Sequence, residues 1–461
     1  MFRKYPSKGY AWWNNLSIKQ CKMNYYSTNR QTAEHSFKES VIKGLPQDKG
    51  LFFPQEIPTL PDTFFSQLPD LTLPEIAAQV LAPYVSEDLG KETLQQICQE
   101  VFTFPIPLVE VEKGIYALEL FHGPTCAFKD VGARFMSRCL QAFAEKDKPV
   151  TVLVATSGDT GSAVANGFLG LENIDVVVLY PQGGVSPIQE MQFTTLGQNI
   201  SAVAIEGTFD DCQALVKQAF SDETLTQEQN LSSANSINVA RWLPQMVYYF
   251  HAFGQWKKLN QDVTELTISV PSGNFGNLAA GLLARKMGLP ISYFVAATNL
   301  NKIVPDYLES GTYKTAPSVS TIANAMDVGS PNNFPRIQEL FGQQFEALTE
   351  VVKGFWADDE EIKGTIRLVY QNNNYLLDPH GAIGYLSLKQ LLPELKTQGI
   401  FLETAHPAKF KESMEEVLGQ EVALPEQLQA FLGRTKQVTI LPNDYAGLAM
   451  LLRQKNKEGT L

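Results

Sequence analysis

Residues 266–288 read LTISVPSGNFGNLAAGLLARKMG. An apolar run from Leu266 to Val270 gives way to Ser272, Gly273, Asn274, Phe275 and Gly276, and Asn277 then opens an amphipathic helix. The order is strand, glycine loop, helix start. Glycines let the backbone approach an anion closely, and the unbonded N–H groups of a helix N-terminus are aimed at it, so this unit predicts a phosphate cradle. No Lys followed by Ser or Thr closes the loop, which excludes a nucleotide P-loop, and the glycine spacing is not that of a dinucleotide fingerprint. A short phosphate carried by something other than ATP or NAD fits.

A second unit repeats the pattern. Residues 151–168, TVLVATSGDTGSAVANGF, run from an apolar strand into Thr156, Ser157, Gly158, Asp159, Thr160 and Gly161 before a helix of small residues. Hydroxyls and N–H groups at such a junction suit a carboxylate. Taken singly, each loop is equally an ordinary turn between strand and helix. A third stretch, HGPTCAFKD from His122 to Asp130, sets Lys129 among small and aromatic residues. Apolar surroundings disfavour an ammonium and free the amine to condense with a carbonyl, although most lysines are surface residues.

A Schiff-base lysine, a phosphate loop and a carboxylate loop are together what a pyridoxal-phosphate enzyme acting on an amino acid requires. The motifs HGPTCAFKD, ATSGDTG, SGNFGN and TAHPAKF, with SANSINVARWLPQ, NAMDVGSPNNFPR and LDPHGAIGY, occur in the order found in one family. From about Met23 to near its C-terminus the chain resembles the threonine synthase branch of the fold-type-II pyridoxal-phosphate enzymes. The resemblance implies two α/β subdomains with mostly parallel sheets, the cofactor between them, and an N-terminal helical cap.

Continuous apolar strands, VTVLVAT, IDVVVLYP, ISAVAIEG, LTISVPSG, ISYFVAATN and GIFLETA, alternate with helical stretches, as in an α/β chain with parallel sheets. The expected division is a basic leader or upstream-start extension at 1–22, a helical domain at 23–101, a large α/β domain at 102–147 and 246–461, and a small mobile α/β domain at 148–245. The leader holds five basic residues and no acidic one and lacks the apolar core of a secretory signal. Thr208 and Asp211 form a capping box that needs no functional reading.

A net charge of −12 argues against nucleic acid and anionic membranes as partners. The cysteines, Cys21, Cys98, Cys126, Cys139 and Cys212, show no CxxC pair, which suits reduced thiols in a cytoplasmic protein and gives no metal site. The five scattered histidines add no zinc motif. No apolar run is long enough to span a membrane. A small-molecule substrate and a monomer or homodimer are expected.

By resemblance, Lys129 holds pyridoxal 5'-phosphate and later serves as the base, and Ser272, Gly273, Asn274, Phe275, Gly276 and Asn277 bind the cofactor phosphate. Thr404 sets a neutral hydroxyl against the pyridine nitrogen. Asp159 stands beside the cofactor's phenolic oxygen where many relatives carry Asn, a place where an acid needs a proton or a cation nearby. Thr156, Ser157, Gly158 and Thr160 take the substrate carboxylate. Asn235, Ser236, Asn238 and Arg241 are candidates for the substrate's own phosphate, and His122 for lining the site. The implied reaction turns O-phospho-L-homoserine and water into L-threonine and phosphate. Two alternatives stay open: a phospho-lyase that releases 2-oxobutyrate and phosphate from phosphohomoserine or phosphothreonine, and a non-catalytic cofactor-binding protein.

Overall fold

Aliphatic runs without polar alternation give strands covered on both faces, and the computed structural model, which describes residues 23–145, 148–260 and 262–457, assembles them into two sheets. The expected leader at 1–22 lies outside the described residues. In chain order the strands are β1 (Tyr25–Ser27), β2 (Phe52–Pro54), β3 (Leu108–Glu112), β4 (Ile115–Glu119), β5 (Val150–Ala155), β6 (Ile174–Pro181) and β7 (Ile200–Glu206). There follow β8 (Leu231–Ser233), β9 (Leu266–Pro271), β10 (Tyr293–Thr298), β11 (Val352–Trp356), β12 (Gln398–Glu403) and β13 (Val438–Pro442).

The first sheet runs β11-β10-β9-β12-β4-β3 and is parallel except for the β3–β4 hairpin. The second runs β13-β7-β6-β5-β8 and is parallel throughout. β5 and β9 are buried along their whole length, as their unbroken apolar sequences require. Every loop singled out in the sequence leaves the carboxyl end of a strand in one of these sheets, where open α/β folds bind ligands.

The segment expected to be helical at 23–101 contains helices Phe37–Lys43, Asp62–Gln67, Leu73–Leu89 and Lys91–Val101, together with an antiparallel β1–β2 pair. Arg336 ties this segment to the rest. Its fully buried guanidinium donates to the carbonyl oxygens of Phe52 at 3.1 Å and Ile237 at 2.7 Å and lies over the Trp242 ring at 4.4 Å. Burial pulls its pKa down to about 9.

One part of the chain falls differently from the expected division, which kept 246–461 in one body. β13 pairs in parallel with β7, Ile440 opposite Ala204, and Leu448, Ala449 and Leu452 of the following helix fill the core on that face of the second sheet. The last strand and helix therefore cross over to the sheet formed mainly by 148–245. Among the described residues no helix is long and apolar enough to cross a membrane, and no cluster of His, Cys, Asp and Glu is arranged to hold a metal ion.

Candidate active site

The carboxyl ends of the two sheets open onto a cleft of about 1710 Å³ whose walls include Lys129, Ser157, Asp159, Asn274, Arg241 and Thr404. Lys129 is the first residue of helix Lys129–Phe143, which the chain enters after β4. The preceding residue is pinned from two sides: the Phe128 N–H donates to the Thr404 carbonyl at 2.9 Å, and the Tyr248 hydroxyl donates to the Phe128 carbonyl. Burial drives the Lys129 pKa down, Asp159 pulls it up, and Lys409 and Arg241 push it down again, for a net lowering. A lowered ammonium pKa is what an amine nucleophile or base needs.

Asp159 begins helix Asp159–Phe168, which leaves β5 by way of the Thr156–Gly158 turn. Its Oδ2 stands 3.6 Å from the Lys129 Nζ, and its Oδ1 accepts from the Lys409 Nζ at 2.7 Å and the Gln189 Nε2 at 2.8 Å. Burial pushes the carboxyl up, but the two ammonium groups and the Gln189 amide outweigh it and hold it well below the usual carboxylate range. The sequence reading asked for a proton or a cation near Asp159. The fold supplies the cation as Lys409, a fully buried residue of the TAHPAKF motif to which sequence reasoning gave no role.

The loop after β9 has the form its glycines predict. Phe275 takes a left-handed conformation with φ 61°, which turns the chain into helix Gly276–Lys286. Among the described residues no carbonyl accepts the N–H groups of Gly273, Asn274, Phe275 or Gly276. The segment 324–336 buttresses the loop. The Asn333 N–H donates to the Asn274 carbonyl at 3.1 Å, and a Cβ on Gly273 would lie 2.8 Å from the Met326 Cα. Asn277 also lines the cleft, its Oδ1 accepting from the Tyr249 hydroxyl at 2.7 Å and its buried Nδ2 finding no partner among the described residues.

The carboxylate loop divides into free and engaged groups. The Thr156 Oγ1 accepts from the N–H groups of Gly158 at 2.9 Å and Gly161 at 2.8 Å, which fixes the turn. Gly158 does not line the cleft: at φ 140° it backs onto Gln189, whose side chain would meet an added Cβ at 2.6 Å. Ser157 and Thr160 face the cleft.

Of the group proposed for a substrate phosphate, Asn235, Ser236 and Arg241 line the cleft and Asn238 does not. The Asn238 amide caps helix Val239–Trp242 and donates to the carbonyls of Val41 at 3.0 Å and Ser233 at 3.1 Å, so its polar atoms serve the fold. Arg241 is nearly fully buried, and it donates to the Ala234 carbonyl while its Nε finds no partner among the described residues. Burial brings its pKa down to about 10, against the smaller upward pull of Tyr248 and the Asp130 carboxylate. A buried guanidinium that no carboxylate contacts among the described residues is a place for an anion. His122 bonds Glu119 at 2.6 Å and is not part of the cleft wall, whereas His380, which the sequence reading passed over, is. The His380 Nδ1 is held by Asp378 and its Nε2 accepts from the Ala325 N–H at 3.3 Å.

A partly desolvated amine, free N–H donors at a helix start, a neutral hydroxyl at Thr404 and an unpaired guanidinium suit pyridoxal phosphate and a phosphorylated amino acid, and comparison with known proteins agrees. A family model described as "Pyridoxal-phosphate dependent enzyme" matches residues 102–402, so fold and lysine together define a fold-type-II pyridoxal-phosphate enzyme. Models for the "Threonine synthase N terminus" and "Threonine synthase, C-terminal" match 24–102 and 381–451. The threonine synthase of Haemophilus influenzae is 49% identical over 93% of this chain and 99% of its own length, and that of Escherichia coli 46% identical over 93% and 99%. The crystal structure of Escherichia coli threonine synthase superposes with a TM-score of 0.88 at 45% identity, covering 94% of this chain and 99% of that one. A pyridoxal-phosphate-bound threonine synthase from Brucella melitensis gives 0.86 at 34% identity, covering 94% and 99%. The chain belongs to the threonine synthase family.

Proposed function

We propose that this chain converts O-phospho-L-homoserine and water into L-threonine and phosphate. What supports the reading most is the convergence of Lys129, the Ser272–Gly276 loop and the hydroxyls of Ser157 and Thr160 on one cleft. Pyridoxal phosphate, when bound, would supply a carbonyl that condenses with amines and would withdraw electrons from the substrate carbons. The N–H groups of Gly273 to Gly276 would hold its phosphate, with Ser272 and Asn277 bracing that loop, and Thr404 would meet its ring nitrogen with a hydroxyl that does not force protonation. Asp159 would lie beside its phenolic oxygen.

Lys129 takes the proton from the substrate α-carbon and then one from the β-carbon, and the bond from the γ-carbon to the phosphate oxygen breaks. Water adds its hydroxyl at the β-carbon and its remaining proton goes to the departing phosphate, while the two protons taken by Lys129 return to the α- and γ-carbons, which balances the reaction. Ser157 and Thr160, on a loop fixed by the Thr156 hydroxyl and the turn at Gly158, orient the substrate carboxylate. Arg241, with Asn235 and Ser236, takes the substrate phosphate through charge-assisted bonds. The body built on the second sheet closes over the substrate and keeps bulk water from the unsaturated stage of the reaction. The same reading places the enzyme in the cytoplasm as a monomer or homodimer, its four described cysteines buried as thiols.

The substrate is tested by phosphate release from holoenzyme given phosphohomoserine and, for serine and threonine as controls, by formation of 2-oxo acid. Turnover of phosphohomoserine alone is expected. Equal turnover of the unphosphorylated amino acids would contradict the phosphate site at Arg241.

A further inference from the structure

Lys409 has no place in the cleft wall, yet its ammonium is fully buried within ion-pair distance of a residue that does. It sits on the short helical turn Pro407–Phe410 after β12, its Nζ donating to the Thr125 carbonyl at 2.8 Å as well as to Asp159. The Ser186 hydroxyl reaches its carbonyl at 3.3 Å, and the Gln192 amide joins it on the Thr125 carbonyl at 3.1 Å. Asp159, Ser186, Gln189 and Gln192 belong to the segment carrying the second sheet, and Lys409 and Thr125 to loops of the first. The contact thus spans the two bodies at the point where Asp159 faces Lys129.

The electrostatic situation is a triad of two lysines on one carboxylate, with Lys129 on Oδ2 at 3.6 Å and Lys409 on Oδ1 at 2.7 Å. The other charged or titratable groups around it include Arg241 from helix Val239–Trp242, Tyr248 from helix Met246–Leu259, Asp130 beside Lys129, Cys126 in the loop before Lys129, and His406 next to the turn that carries Lys409. A carboxylate with one cationic partner holds that partner's proton firmly. With a second, closer cation, its pull on the first is offset.

We infer that Lys409 is a positioning residue that fixes Asp159 and takes up its charge, leaving the Lys129 amine as the base of the site. The inference rests on the proposed role of Lys129 but not on the identity of the product. Asp159 can then stand at the cofactor without turning Lys129 into a permanent ammonium, and both bodies must be docked for the arrangement to exist.

Two holoenzyme readouts test it: the pH midpoint of the cofactor's visible absorbance and the acid limb of kcat/KM. Lys409→Met leaves Asp159 to Lys129 alone, so the midpoint and the acid limb are expected to move up by about one pH unit or more, with kcat/KM at neutral pH falling about tenfold or more. Asp159→Asn leaves the Lys409 charge facing Lys129, and both are expected to move down. The double variant, with neither charge, is expected to lie between the two single variants. If Lys409→Met does not accumulate as folded holoenzyme, Asp159→Asn and the double variant decide. An unmoved midpoint in Asp159→Asn overturns the inference, and so does a loss of thermal stability in Lys409→Met with the parent's midpoint, since that describes a strut. Failure to form threonine would sink the proposed reaction and leave these midpoints readable.

Discussion

Lys129 owes its chemistry to placement. It begins a helix after a strand end, its neighbour Phe128 is bonded at both N–H and carbonyl, and burial with two nearby cations lowers its proton affinity. Lys129→Ala is expected to remove the cofactor's visible band and to cut turnover by about a thousandfold or more, since a missing general base alone costs 10² to 10⁴; absorbance of the purified variant and a phosphate assay check both. At this scale the sequence told the residue type but not always the direction of its side chain. Asp159 and Thr404 reach the cleft, as expected from strand-end loops. Asn238 reads the same way in SANSINVAR, yet its amide is consumed by Val41 and Ser233. Lys409 lies in TAHPAKF, where nothing local gives it a role, and it takes on meaning only because the fold brings it to Asp159.

Two strand–loop–helix units carry the site, and they were legible because β5 and β9 are unbroken apolar runs followed by glycine and hydroxyl residues. The strands that went unread are three to five residues long, too short to show a period, and several are only partly buried. The phosphate loop gives a prediction at this scale. Gly273→Ala sets a methyl 2.8 Å from the Met326 Cα and 3.0 Å from the Ala325 carbonyl oxygen, both backbone atoms that cannot swing aside. The loop must shift, and cofactor affinity is expected to weaken about tenfold, roughly 1.4 kcal/mol, as read by titrating apoenzyme with pyridoxal phosphate. An unchanged affinity would mean that this loop does not hold the phosphate.

Across the whole molecule, the chain's last strand and helix complete the second sheet, a long-range pairing that no local pattern announces. Leu448 is fully buried there, so Leu448→Ala is expected to cost about 2–5 kcal/mol of stability, measured by urea unfolding. Stability should also depend on pH through His251 and His406, whose pKa values burial lowers from 6.5 to about 4. The unfolded chain then binds protons that the folded rings refuse, so their contribution is complete above about pH 6.5 and is lost as pH falls toward 4, on the order of 1–3 kcal/mol for each ring. His251→Gln, which keeps a donor for the Ile106 carbonyl, should flatten the decline of the urea midpoint between pH 7 and 4.5.

The most direct test of the proposed reaction counts products. Holoenzyme incubated with O-phospho-L-homoserine should form one threonine for each phosphate released, with no 2-oxo acid accumulating. Phosphate matched by 2-oxobutyrate, with threonine absent, would contradict it and identify a lyase that discards the unsaturated product to water.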